Sequence, residues 1–177
     1  MRLFIALPFS EKINNYLEGL LTRLPEAKMA LNHHFHVTLE FLGEASVEQA
    51  QKIMEELREI SFPKIDLKLT EIGVFKNFNG FIKFVWVGVS FPEELKDLQK
   101  QVEASMRNLG FKPDKPFTPH LTLARIKFTD DELFENELKK IKIQNLEETI
   151  DRIILFESIL SQQGASYNEL LTVKAND

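Results

Sequence analysis

The sequence predicts an α+β fold made of two similar halves that face each other across a cleft. A short motif, His-x-Thr-Leu, occurs twice, starting at His36 and at His120. A long helical pattern of apolar residues precedes each copy, over residues 10–24 and 92–109. No linker or low-complexity tract interrupts the 177 residues. We therefore expect a single domain, residues 1–177, whose two pseudo-symmetric halves bring the motifs together.

The first half begins with a short apolar strand and a helix. Residues 2–7 are almost all apolar and are followed by Pro8, which ends the strand. Ser10 is a good N-cap for the helix, and apolar residues recur at helical spacing until Pro25. The first motif then predicts a strand over residues 35–43.

A second helix and a hairpin connect the two motifs. Ser46 and Gln49 form a capping-box pattern at the start of the helix. Residues 65–73 alternate between apolar and polar, which is typical of a half-buried strand, and residues 81–89 predict a strongly apolar strand. The Asn-Gly pair at residues 79–80 is a turn signal, so we expect these two strands to form a hairpin.

The second half repeats the order of helix and motif. Pro92 suits the first helical position, and Gly110 follows the end of the helix. Three prolines within residues 112–119 predict a rigid loop that leads into the strand of the second motif. The rest of the chain is expected to form a short helix at 130–138 and three strands at 140–146, 150–161 and 167–174.

Each motif places an imidazole beside a hydroxyl. Because alternate residues of a strand share a face, His36 should lie beside Thr38, and His120 beside Thr122. The chain has only four histidines and eight threonines. Two such pairs would arise by chance in about one sequence in a hundred. We therefore interpret the two strands as the candidate site.

These residue types favour acid–base chemistry on a phosphodiester. Two facing imidazoles can act as general base and general acid, because their unperturbed pKa of about 6.5 suits proton transfer near neutral pH. Threonine hydroxyls can donate hydrogen bonds to phosphate oxygens, and Arg125 could bind the phosphate with two donors. Strict alternation puts Arg125 on the face opposite His120, so a bulge or a strand end would be needed. The pattern lacks an obvious nucleophile, a phosphate-binding glycine loop and a metal cluster.

The composition of the chain limits the classes of binding partner and the cellular compartments that are expected. The net charge of −5 argues against a protein that grips long nucleic acid, whereas a small nucleotide or the end of an RNA fits. The absence of cysteine excludes disulfides, thiolate zinc sites and a cysteine nucleophile, and it favours the cytoplasm. No run of eighteen or more apolar residues occurs, so no membrane association is expected.

Other interpretations of the same residues stay open. A lone His-x-Thr on a strand is more often a structural feature than a catalyst. His34 and His36, with His33 or Glu40 nearby, could ligate zinc. The phenylalanines that could stack on a nucleobase, or lie in the core, are Phe75, Phe78, Phe81 and Phe84. Trp86, inside an apolar strand, is expected in the core.

The motifs resemble those of a known superfamily. Phe-Leu-Gly-Glu follows the first copy, and Phe-Thr-Pro-His-Leu-Thr-Leu-Ala-Arg surrounds the second. With the two His-x-Thr-Leu copies, these segments resemble the 2H phosphoesterases, and most closely the RNA 2′,3′-cyclic phosphodiesterases, also called 2′-5′ RNA ligase-like proteins. The resemblance implies a bilobal α+β fold with an antiparallel sheet in each lobe. It also implies hydrolysis of a 2′,3′-cyclic phosphate to a 2′-phosphomonoester without metal or other cofactor.

The resemblance also assigns roles to residues by motif position. It implies that His36 and His120 are the acid–base pair, that Thr38 and Thr122 hold the phosphate, and that Arg125 stabilises charge in the transition state. We expect His120 to activate water and His36 to protonate the departing 3′ oxygen. The expected partners are RNA ends or nucleoside 2′,3′-cyclic phosphates, with tRNA among them, and the expected state is a monomer.

Two departures from the family pattern affect the expected substrate. The first motif is commonly followed by a basic residue, where this chain has Glu40, and a tryptophan is common just before it, where this chain has residues 33–35. Both lie at the expected rim of the site. The alternatives are ligation or hydrolysis of a 2′-5′ linkage, hydrolysis of an ADP-ribose cyclic phosphate, and a binding module without catalysis.

Overall fold

The computed structural model describes residues 1–113 and 115–177, and these residues form four helices and nine strands. The helices are α1 (Glu11–Leu21), α2 (Val47–Arg58), α3 (Glu93–Asn108) and α4 (Asp131–Leu138). The strands are β1 (Arg2–Pro8), β2 (Lys28–Leu31), β3 (His36–Glu44), β4 (Ile65–Lys76), β5 (Ile82–Val89), β6 (His120–Phe128), β7 (Glu147–Ile150), β8 (Arg152–Ser161) and β9 (Gly164–Lys174).

The strands form two antiparallel sheets. The first sheet has the order β3-β1-β8-β9, and the second has the order β2-β6-β5-β4-β7. One motif strand lies in each sheet, with a helix before and after it in the chain: α1 and α2 flank β3, and α3 and α4 flank β6. The predicted α+β fold with two similar halves, each containing an antiparallel sheet and helices, is confirmed. Among the described residues, a single cluster of buried apolar side chains joins the sheets and helices.

The helix boundaries follow local signals. At α2 the predicted capping box is present, because Ser46 Oγ accepts from the Gln49 amide at 3.1 Å and Gln49 Oε1 accepts from the Ser46 amide at 2.9 Å. Ser10 is the N-cap of α1, but its hydroxyl donates to Glu148 instead of capping the helix. Pro92 is the N-cap of α3 and not its first helical residue. None of the helices in the described ranges is long and apolar enough to cross a membrane.

Three segments differ from the sequence prediction. The strand expected at 140–146 is wrong: the segment forms no strand, although its apolar side chains pack on the core and the carbonyl of Leu146 accepts from the Leu69 amide of β4 at 2.9 Å. The strand expected at 150–161 is β8, which begins at Arg152; Ile150 instead ends a separate strand, β7, because the chain passes from the second sheet to the first at Asp151. Strand β2 was not predicted, since four residues without a β-branched side chain give little signal. The loop predicted at 112–119 includes Asp114, which lies outside the described residues.

Candidate active site

The two motif strands present the same alternation of buried and accessible residues. On β3, His36 and Thr38 are half-buried, whereas Val37 between them is fully buried. On β6, His120 and Thr122 are half-buried on either side of a fully buried leucine. Strands β3 and β6 contact each other across the two sheets. We call the face of each sheet that carries its histidine the site face.

His36 lies in an aromatic environment on the first sheet. Its ring stacks on Phe4 with the ring centroids 4.9 Å apart. Tyr167 packs nearly perpendicular to the same ring, with the centroids 5.5 Å apart. The pKa of His36 is lowered to about 4, mainly by burial and then by positive charge on His34 and on His120. His36 is therefore neutral in the free protein near pH 7. His120 is the smallest of these causes, and its strand β6 contacts strand β3, which carries His36.

His120 is held by its own backbone and by one aromatic ring. Its Nδ1 donates to the carbonyl oxygen of Thr118 at 2.6 Å, and because that oxygen can only accept, Nδ1 carries the proton. The Phe75 ring packs perpendicular to the His120 ring, with the ring centroids 4.9 Å apart. Burial lowers the pKa of His120, and the hydrogen bond to Thr118 partly opposes this effect. The other ring nitrogen, Nε2, is left with a lone pair that can accept a proton.

A β-bulge brings Arg125 to the site face. Trp86 of β5 pairs with Thr122, but the next pair is Val85 with Ala124, so Leu123 is an extra residue. Leu123 and Ala124 are both buried, and Arg125 is then exposed on the same side as Thr122. From the sequence, Arg125 could lie on the same face as His120 only if a bulge or a strand end interrupted the alternation. The structure contains such a bulge.

Strand β3 has an equivalent bulge after its own motif. Ala6 of β1 pairs with Thr38 and Ile5 pairs with Glu40, so Leu39 is the extra residue. Five residues after His36, Phe41 therefore occupies the position that Arg125 has after His120, and Phe41 is 69% exposed. The two halves therefore have the same β-bulge, but the side chain that it exposes is aromatic in the first half and positively charged in the second.

Glu40 points away from the site. It is 5% exposed, and neither of its carboxylate oxygens has a hydrogen-bond partner in the described structure. The pKa of Glu40 is raised to about 7, mainly by burial and also by Glu103 of α3, whereas Arg107 of α3 partly opposes the rise. A large fraction of this side chain, about half at pH 7, is thus protonated, which lowers the cost of its burial.

The alternative zinc site is not assembled. Glu40 lies on the core side of β3, and His33 Nδ1 binds Glu18 at 2.9 Å. Over residues 1–113 and 115–177, no group of three or more His, Asp or Glu side chains is placed to hold a metal ion.

The aromatic surroundings of the site were largely missed by the sequence reasoning. Trp86, which was expected in the core, is half-buried and pairs directly with Thr122. A Cβ at Gly73 would lie 2.5 Å from the Trp86 ring, so only glycine leaves room for the indole there. The ring in turn packs against Phe75 at 5.2 Å. Phe4 and Tyr167 carried no signal that could have assigned them to the site, because their position depends on strand pairing far along the chain.

The site therefore contains two imidazoles with lowered pKa values, one from each sheet, with a threonine hydroxyl beside each. Arg125 lies on the site face of the second sheet. These residues can act as general acid and general base on one substrate, donate hydrogen bonds to its oxygens and stabilise negative charge.

Comparison with known proteins places this arrangement in a family. The family described as LigT like Phosphoesterase matches residues 5–83 and 87–167, which include both motifs. The chain belongs to this family. Its relatives include proteins named RNA 2′,3′-cyclic phosphodiesterase from Methanocaldococcus jannaschii, 30% identical over 94% of this chain and 96% of the relative, and from Archaeoglobus fulgidus, 32% identical over 96% and 98%. A third, from Aeropyrum pernix, is 35% identical over 84% of this chain and 86% of its own.

Solved structures share the fold of this LigT-like chain. A Thermus thermophilus protein is 25% identical, with a TM-score of 0.78 over 98% of this chain and 97% of that one. The crystal structure of Escherichia coli LigT complexed with 3′-AMP has a TM-score of 0.81 at 23% identity, covering 99% of this chain and 98% of that one.

Proposed function

We propose that this protein hydrolyses RNA 2′,3′-cyclic phosphate ends to 2′-phosphomonoesters, with His36 and His120 as the acid–base pair and with no metal or other cofactor. The observation that carries the proposal is the pair of imidazoles on the contacting strands β3 and β6, each on the site face and each beside a threonine. A protein that only bound an RNA end would not need two proton-transfer groups. The names of the relatives support the substrate class.

His120 is the general base in this proposal. Its Nδ1 donates to the Thr118 carbonyl, so Nε2 is the ring atom that can take a proton from the attacking water. Attack on phosphorus breaks the bond to the 3′ oxygen, and His36 gives that oxygen a proton. Because the pKa of His36 is about 4 in the free protein, its protonated form is rare until the negative phosphate lies beside it and raises the pKa.

The remaining site residues hold and neutralise the phosphate. Thr38 and Thr122 donate to its non-bridging oxygens, and Arg125 stabilises the additional negative charge of the transition state. The same chemistry would suit free nucleoside 2′,3′-cyclic phosphates and the ends of longer RNAs, including tRNA. We further propose that the protein acts as a monomer in the cytoplasm, a compartment that its lack of cysteine favours.

Phosphorus NMR tests the proposal directly. Cytidine 2′,3′-cyclic phosphate is incubated in EDTA with the wild type and with the variants His36→Ala and His120→Ala. We expect a 2′-phosphate product from the wild type and a loss of at least about a hundredfold in rate from each variant. A 3′-phosphate product would reverse the identity of the leaving oxygen, and turnover that depended on added zinc would refute the metal-free mechanism.

A further inference from the structure

The second sheet carries a basic and aromatic surface that continues from the site. Four positively charged residues lie on three adjacent strands: Lys28 on β2, Lys83 on β5, and Arg125 and Lys127 on β6. None of the four takes part in an ion pair within residues 1–113 and 115–177. These three strands contain no Asp or Glu, although the whole chain has a net charge of −5. We call these four residues the basic strip.

Two further irregularities in strand pairing turn the strip toward the site face. On β5, Ile82 and Val85 are buried, and the two residues between them, Lys83 and Phe84, lie on the other side of the sheet. Phe84 pairs directly with Arg125, which places the two side by side. The backbone thus puts a positive charge and an exposed ring next to the site.

The end of β6 repeats this arrangement. Ile126 is buried, and an irregularity in the pairing with β2 then leaves both Lys127 and Phe128 exposed. Lys28 pairs with Phe128, which is 75% exposed. Lys127 lies seven residues beyond His120, about 23 Å along the strand at about 3.3 Å per residue. This distance exceeds the size of a mononucleotide, so the strip extends past a substrate bound at the histidines.

We propose that the basic strip, with Phe84 and Phe128, binds the single-stranded RNA segment that leads to the cyclic phosphate end. Alternating cations and exposed aromatic rings are the means by which proteins bind single strands without reading sequence, through backbone phosphates and base stacking. A free nucleotide bound at the histidines would contact Arg125 but would not reach Lys127 or Phe128. The proposal rests on the proposed function, since it makes the histidines the end point of the strand.

The test compares two substrates that differ only in the upstream RNA. The ratio of kcat/KM for an RNA pentamer ending in a 2′,3′-cyclic phosphate to kcat/KM for cytidine 2′,3′-cyclic phosphate is measured across a range of KCl concentrations. For the wild type we expect a ratio well above one that falls as salt rises. The double variant Lys83→Gln/Lys127→Gln should lower the ratio about tenfold at low salt. It should also reduce the slope of log ratio against log salt by about 1.4, or about 0.7 for each phosphate that is no longer neutralised.

A matched control removes the same charge elsewhere. Lys12 of α1 and Lys100 of α3 are exposed and outside the site, and the variant Lys12→Gln/Lys100→Gln should change the ratio less than twofold. Thermal melting followed by circular dichroism shows whether each variant is folded. An equal fall in the ratio for both double variants, or no fall for Lys83→Gln/Lys127→Gln, would overturn the proposal.

Failure of the surface can be told apart from failure of the reaction. If cytidine 2′,3′-cyclic phosphate is hydrolysed and the ratio does not depend on the strip, the proposed function stands and the surface does not. If the wild type hydrolyses neither substrate, fluorescence anisotropy with a labelled pentamer ending in a 2′-phosphate tests the surface alone. An increase in Kd of about tenfold for Lys83→Gln/Lys127→Gln would support it, and an unchanged Kd would overturn it.

Discussion

Removing the charge of His34 should raise the pKa of its neighbour His36. The pKa of His36 falls from 6.5 to about 4. At about 1.36 kcal/mol per pKa unit, the site disfavours the protonated form of His36 by about 3 kcal/mol. Burial is the largest cause and His34 is the second, so His34 accounts for less than half of this lowering. Its ring lies beside Tyr167, which also contacts His36. We expect His34→Gln to move the pKa of His36 upward by that smaller part only.

NMR titration of the ring C–H signals measures the effect directly, since the chain has only four histidines to assign. His33→Gln is the matched control: it removes the adjacent imidazole, but His33 is bound to Glu18 and is not among the groups that shift the pKa of His36. An unchanged pKa for His36 in His34→Gln, or an equal rise in His33→Gln, would refute the electrostatic account of the site.

The same variant tests the assignment of acid and base. If His36 is the acid, its protonated form limits kcat/KM, and raising its pKa should raise the maximum of the pH profile by the corresponding factor. The acid limb of the bell should also move to higher pH. If the NMR pKa rises and the maximum stays the same or falls, the roles are reversed, with His36 as base and His120 as acid.

Four further predictions follow from single contacts. Because the folded protein keeps a proton on Glu40 up to about pH 7, whereas the unfolded chain releases it near 4.5, stability is lost as pH rises through this range. Glu40→Gln should therefore raise the free energy of unfolding in urea by about 1–3 kcal/mol at pH 8 and leave it unchanged at pH 4.5, and an equal gain at both would contradict this. Thr122→Val should lower kcat/KM by about tenfold to a hundredfold, for loss of a hydrogen bond to a charged group, and full activity would exclude phosphate contact. Arg125→Ala should lower kcat by about a hundredfold or more and Arg125→Lys should recover only part of this in steady-state assays, because a lysine cannot present two parallel donors. Gly73→Ala should destabilise the protein by about 1–3 kcal/mol in urea unfolding, because its Cβ would meet the Trp86 ring, and a neutral effect would mean that the indole moves freely.

The sequence was most informative where a local pattern decides the structure. The alternation around each motif correctly placed Thr38 beside His36 and Thr122 beside His120, because a strand has a period of two. The capping box at Ser46 was also correct, since it depends on residues three positions apart. The same local spacing, found twice in a chain with four histidines and eight threonines, singled out His36 and His120 as candidate site residues.

Features that depend on pairing between distant strands could not be predicted. The bulge at Leu123 exists only in relation to β5, so the sequence could indicate that Arg125 needed it but not that it was there. The burial of Glu40 follows from the equivalent bulge in β3 and from the packing of α3 over it, neither of which leaves a local signal. The segment 140–146 has the apolar content of a strand but packs on the core without forming a strand, and composition does not separate these two outcomes.

The difference between the two halves indicates how an asymmetric substrate uses a nearly symmetric fold. Both motifs end in the same bulge, yet the fifth residue after the histidine is the exposed ring of Phe41 in one half and the guanidinium of Arg125 in the other. At this repeated position the positive charge therefore comes from the second sheet, and Lys83 and Lys127 extend it on the same side. Under the proposed function, a cyclic phosphate bound in the opposite orientation would exchange its two ester oxygens between the histidines and would lose the match between its charge and Arg125. The proposed mechanism therefore predicts that the asymmetry of the side chains on a repeated backbone selects one orientation of the phosphate, and with it one of the two ester bonds for cleavage.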